Sequence, residues 1–239
     1  MELKIGADPE TFLSLGGKFI SAADILPGTK ADPFKVEKGA VQVDGLAFEY
    51  NIDPATTREE FDRNHTVVIA QMEEMVKKID KDIKLNFIPF AEFDKTYFDT
   101  LPDRCKVLGC DPDYRSIDGL VKPPPEDLTH MPVRTAAGHI HVGWAKNEDP
   151  YSSSHFEDCR FVAHHFSIRN EGRIYGKAYH NKTNEEIKRL KYYCSQGAFR
   201  PKSYGVELRQ YSNIWAAKPE TRRMMFDYIK TSVTQLYRG

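Results

Sequence analysis

Four short segments of this 239-residue chain alternate polar and apolar residues with the two-residue period of an extended strand. Asp8 and Glu10 flank Pro9, and Glu49 and Asn51 are interleaved with Phe48, Tyr50 and Ile52. His139 and His141 are interleaved with Ile140 and Val142, and Glu207 and Arg209 with Val206 and Leu208. Side chains at i and i+2 share one face of a sheet, so each segment sends its polar pair one way and its apolar residues the other. One such pair is ordinary on a half-solvated antiparallel strand, where Lys, Thr, Ser and Gln usually fill the polar face. These four pairs instead hold four carboxylates, two imidazoles, an amide and a guanidinium. Hard divalent cations take carboxylate oxygens and leave positions for water and phosphate. The planar fork of Arg closes on phosphoryl oxygens. Together the pairs point to a metal and phosphate site.

Signals around these segments describe an α+β fold on an antiparallel sheet, as a single domain over residues 1–239. Residues 4–15 read as a strand, with Gly16-Gly17 turning into a second strand at 18–20. A hairpin is expected at 41–52 with Asp44-Gly45 as its turn, so Asp44 needs no chemical role. Further strands are expected at 83–89, 138–144 and 204–211. Pro9 inside the first strand implies a sheet edge or a bulge there. Thr57-x-x-Glu60, Ser154-x-x-Glu157 and Thr183-x-x-Glu186 are capping boxes that open three helices. The second should run to about Ile168, and the third should align Ile187, Leu190 and Cys194 on its inner face. Pro219 suits the first turn of a fourth helix. Residues 22–38 and 111–132 show no convincing element, as lids or binding loops often do not.

Composition narrows the class. Lys and Arg number 34 against 35 Asp and Glu, a net charge of −1, which argues against binding nucleic acid by bulk electrostatics. No apolar run approaches the roughly 20 residues of a membrane span. The first five residues carry charges where a signal peptide is apolar, so a cytoplasmic location is expected. The four cysteines follow no zinc-type spacing and read as reduced thiols.

Gly138-His139-Ile140-His141-Val142-Gly143 resembles the Gly-x-His-x-His segment of glutamine synthetase-type ligases. Glu207-Leu208-Arg209 and Asp8-Pro9-Glu10 resemble their Glu-x-Arg strand and first-strand acidic pair. The chain is still more similar to the carboxylate–amine ligase family found largely in tailed phages and bacteria. Six of its motifs stand here in order, at residues 6–10, 44–51, 107–110, 137–143, 175–177 and 204–213. The chain departs from that pattern in a shorter stretch between His141 and Tyr175 and in a charged insertion at 179–191.

The resemblance implies a curved, largely antiparallel sheet with helices packed on one face, like a glutamine synthetase catalytic domain. It also implies ATP-dependent amide formation through an acyl phosphate, in the host cytoplasm where a phage carries the gene. Asp8, Glu10, Glu49, His139 and Glu207 are then expected to hold Mg²⁺ or Mn²⁺ ions that bridge the ATP phosphates. His141 is expected at the transferred phosphoryl group or acyl oxygen, and Arg200 and Arg209 at the γ-phosphate. Asn51 would orient a phosphate or metal-bound water, with Lys177 and Lys202 as further phosphate contacts. The partners would be small-molecule or peptide carboxylates and amines; a nucleic-acid target stays open through the basic stretch 188–202. Two rivals remain: a cupin-like single-metal oxidase or hydrolase using His139, His141 and Glu207, and an inactive binding module on the same scaffold.

Overall fold

The computed structural model describes residues 2–107, 113–121, 127–168, 184–193 and 196–237. Its strands are β1 (Lys4–Leu15), β2 (Lys18–Ile20), β3 (Phe34–Val36), β4 (Gly39–Asp44), β5 (Ala47–Ile52) and β6 (Lys84–Asn86). They continue with β7 (Phe90–Glu92), β8 (Tyr114–Arg115), β9 (Val133–Thr135), β10 (Gly138–Gly143), β11 (Ala198–Lys202) and β12 (Gly205–Leu208). The helices are α1 (Arg58–Ile79), α2 (Lys95–Thr100), α3 (Asp103–Lys106), α4 (Ser153–Ile168), α5 (Asn184–Tyr192) and α6 (Pro219–Leu236). The architecture is mixed α and β around one large antiparallel sheet, in the order β3-β4-β5-β1-β10-β12-β11-β8. The outer half of β1 also pairs with β2 and β6, and β7 pairs with β9 separately.

The apolar half of each alternating strand faces the helices. Ile5, Phe48, Tyr50, Ile140, Val142, Val206 and Leu208 are buried in one cluster with residues of α1, α4 and α6. Phe61 of α1 is central to it, stacking on Trp215 at 6.0 Å and meeting Phe226 of α6 at 5.4 Å between ring centroids. Thr57 caps α1 as the sequence predicts, its hydroxyl accepting from the Glu60 N–H at 3.2 Å. The return arm is displaced by one residue, because the Glu60 carboxylate accepts from the Thr56 N–H. No helix among the described residues is long and apolar enough to cross a membrane.

Several expectations need correcting. The first hairpin forms at Gly16-Gly17, but Asp44 pairs with Ala47, so Gly45 and Leu46 are the central turn residues and Gly45 takes φ +58°. β1 is interior to the sheet rather than an edge. Pro9 closes its ladder with β10, and the ladder with β5 starts at Glu10, so the missing N–H falls where partners change. The strand expected at 83–89 is only β6, and the one expected at 204–211 ends at Leu208 and is joined by the unexpected β11. Residues 22–38 contain β3, and 111–132 contains β8. The inner face of α5 is not Ile187 and Leu190, which are 45% and 42% exposed. Arg189 is fully buried instead, donating to Glu186 and to the carbonyls of Gln210 and Tyr211, and those bonds set the helix rotation. Of the cysteines, Cys105 and Cys159 are free and buried, while Cys110 and Cys194 lie outside the described residues.

Candidate active site

Register brings the polar pairs together on the face away from α1 and α6. Asp8 stands opposite His139, Glu10 opposite Glu49, His141 opposite Glu207, and Glu207 opposite Arg200. Directly paired residues of antiparallel strands share a face, so four neighbouring ladders build one polar surface. It borders a cleft of about 580 Å³ whose wall includes Asp8, Glu10, Glu49, His139, Glu207 and Arg209. Arg200 and Lys202 enter from β11.

Two trios of possible metal ligands lie along this cleft. One ligand atom from each of Asp8, His139 and Glu207 falls within 4.8 Å of the others, as does one from each of Glu10, Asp44 and Glu49. The imidazole Nδ1 of His139 faces Asp8 Oδ1 at 3.3 Å and Glu207 Oε1 at 3.4 Å. Its Nε2 is buried with no hydrogen-bond partner among the described residues, and so is Asp8 Oδ1. Buried polar atoms without partners are costly and rare, so these orphans fit a missing ligand such as a divalent cation. The donor set, carboxylate oxygens with one imidazole, suits Mg²⁺ or Mn²⁺.

Charge is graded along the cleft. Glu207 is buried under three cations: Lys202 Nζ at 2.9 Å, Arg200 Nη1 at 3.4 Å and Arg209 Nη1. Burial works to raise its carboxyl, but the charges of Arg209, His139 and His141 together hold it below the usual range. Arg209 also reaches Tyr193 and faces Asp113 Oδ2 at 3.6 Å. At the opposite end the carboxylates crowd one another. Burial, then the neighbouring Asp44 charge, pushes Glu10 up to about 8. Burial and the charges of Asp8 and Glu10 raise Glu49 well above its ordinary value. Glu10 accepts from the Ala137 N–H at 2.7 Å, Glu49 accepts from Gln42 at 2.8 Å, and Lys30 pairs with Asp44 at 2.8 Å.

His141 and Asn51 belong elsewhere. His141 binds Asp8 Oδ2 through Nε2 at 3.0 Å and Tyr204 through Nδ1, and it borders a second cleft together with Asn51. Burial disfavours its charge, but the charge and hydrogen bond of Asp8 and the charge of Glu207 together hold the imidazole above its usual range. Burial, then the Arg209 charge, depresses His139. His141 thus joins neither ligand trio among the described residues, and the His139–His141–Glu207 set of a cupin-like centre does not form.

Ten of the eleven expected site residues, Asn51 among them, line one or the other of the two adjoining clefts. The eleventh, Lys177, lies outside the described residues. Lys30, Gln42, Asp44 and Arg134 also line the first cleft and were missed. Asp44 and Gln42 were legible, since they alternate on β4 as Glu49 and Asn51 do on β5. Arg134 had no periodic signal. No protein-family model matches the sequence, and a search of curated proteins finds no match either.

Proposed function

We propose that the chain is a cytoplasmic ATP-dependent carboxylate–amine ligase built on a glutamine synthetase-like catalytic sheet. One observation carries the reading: carboxylate-rich ligand trios and three convergent cations share a single cleft on one sheet face. A carboxylate is a poor electrophile. In this reaction class it is activated as its acyl phosphate with ADP released, and an amine then displaces inorganic phosphate to give the amide. ATP and the carboxylate are both anionic, so the site must supply cations to hold them together.

Asp8, His139 and Glu207, with Glu10, Asp44 and Glu49, would hold the divalent cations. Such a cation, when bound, neutralises phosphate oxygens and fixes their orientation. Arg209 and Arg200 supply planar forks toward the phosphoryl oxygens, and Lys202 a point charge beside them. Glu207 pairs with all three cations over the cleft and so gathers their positive charge at one place. Asp8 binds His141 through Oδ2 and turns Oδ1 toward His139, so its carboxylate stands between the two imidazoles. The substrates belong to the small-molecule or peptide acids and amines.

The reaction type is tested by incubating the protein with Mg²⁺, ATP, hydroxylamine and a panel of the twenty amino acids. The proposal expects a hydroxamate, with ADP and phosphate released together. AMP and pyrophosphate would place the chain with adenylating ligases and overturn the mechanism.

A further inference from the structure

Lys30 brings a positive charge to the acidic end of the first cleft. Its Nζ lies 2.8 Å from Asp44 Oδ2, and both residues line that cleft with Glu10 and Glu49. The other two carboxylates of this trio are met by neutral donors, Glu10 by the Ala137 N–H and Glu49 by the Gln42 amide. Burial works against the charge on Lys30, but the carboxylates of Asp44, Glu49 and Glu10 together hold the ammonium above its ordinary range. An ammonium beside three crowded carboxylates supplies, in part, the charge that a divalent cation would bring there.

Lys30 is half exposed, and an exposed ion pair on a free side chain contributes little. The backbone that carries Lys30 sets this pair apart. Its segment is strapped to β4 at Gly28, whose carbonyl accepts from the Val43 N–H at 3.1 Å. Gly28 takes φ +86°, and a Cβ there would lie 2.2 Å from the Val41 carbonyl oxygen, so conformation and close approach both require glycine. Thr29 and Asp32 exchange backbone hydrogen bonds at 3.0 and 3.2 Å, and the Asp32 N–H also reaches the Thr29 hydroxyl. Lys30 and Ala31 are thus the central residues of a tight turn. Phe34 then pairs with Val41 as β3 joins β4. The turn is fixed at both ends to the strand that carries Asp44, so Lys30 is delivered to the trio by the fold.

We infer that Lys30 is the built-in counter-ion of the Glu10–Asp44–Glu49 trio, and that a divalent cation enters the trio by displacing the Lys30 ammonium from Asp44. Repulsion between the two cations sets the cost of that exchange, so Lys30 limits how tightly the trio holds its ion. The inference rests on the cation-site part of the ligase reading and adds a control on that site's affinity.

Mg²⁺ alone, titrated calorimetrically into the full chain without nucleotide, tests the exchange. The buffer is held above the value of about 8 to which Glu10 is raised, so that protons compete little. Lys30→Met keeps the length, removes the charge and adds no ligand suited to a hard cation. It should bind Mg²⁺ at least about tenfold more tightly than the wild type. Lys30→Arg keeps the charge and should keep the wild-type affinity. In an Asp44→Asn background the gain from Lys30→Met should shrink at least about threefold, because Lys30 is no longer held at the trio. Equal Mg²⁺ affinity of the wild type and Lys30→Met overturns the exchange, as does a gain that is the same in the Asp44→Asn background. Failure of every variant to bind Mg²⁺ overturns the trio as a cation site and the exchange with it. The hydroxamate assay reads the ligase assignment separately: Mg²⁺ affinity controlled by Lys30, with no hydroxamate formed, rejects the ligase reading and keeps the exchange.

Discussion

Glu207 is the residue on which the electrostatics of the cleft turn, because one buried carboxylate faces His139, Arg200, Lys202 and Arg209 at once. Glu207→Gln keeps the shape and removes the charge, so Mg²⁺-dependent ATP binding should weaken and turnover should fall. It also leaves buried cations without their counter-charge, and a melt should report destabilisation of up to about 3–5 kcal/mol. Arg209→Lys keeps the charge and loses the fork, so ATP should still bind while turnover drops at least about tenfold. Wild-type turnover in both variants would reduce the pair to an ordinary strand face. Alternation was enough to find Glu207 and Arg209. Asp44 alternates as well, but Asp-Gly is also a common turn signature, which accounts for its carboxylate without any chemistry. The turn lies one residue later, which leaves Asp44 on β4 and aimed at Glu10 and Glu49. Lys30 offered no period at all; it reaches Asp44 from a segment without strand or helix signals.

At the level of elements, β12 is the strand whose two faces do different work. Val206 and Leu208 enter the core under α4 while Glu207 turns toward the cleft. Leu208→Ala should therefore cost about 2–5 kcal/mol, read as a lowered denaturation midpoint, with the metal-ligand charges untouched. An unchanged midpoint would mean that the strand faces the other way. Elements with a clean period were legible from the sequence: α1 by its cap and stripe, β5, β10 and β12 by alternation. β11 was not, because Pro201 reads against a strand. It is tolerated because β8 pairs only with Ala198 and Phe199, leaving the β11 edge at Pro201 free of a partner strand among the described residues. The rotation of α5 was misread for a different reason: a buried Arg189 that satisfies two carbonyls and Glu186 outweighs two exposed aliphatic side chains.

Across the whole molecule, one sheet separates two environments. Helices α1, α4 and α6 close the apolar face, and the opposite face carries two adjoining clefts that share Asp8 and Glu49. Such a division leaves the site face free to hold charge that no core would tolerate. Burial and neighbouring carboxylate charges push Glu10 up to about 8 and Glu49 well above its ordinary value, which favours their protonated forms. A divalent cation has to displace those protons, so metal-dependent binding should weaken as the pH falls below about 8 and strengthen as it rises toward that value. Calorimetric titration of ATP with Mg²⁺, and again with EDTA in its place, therefore tests the ligase reading where it is most exposed. The account predicts ATP binding only with Mg²⁺, with an affinity that rises from pH 6 to pH 8. Equally tight ATP binding in EDTA would contradict it.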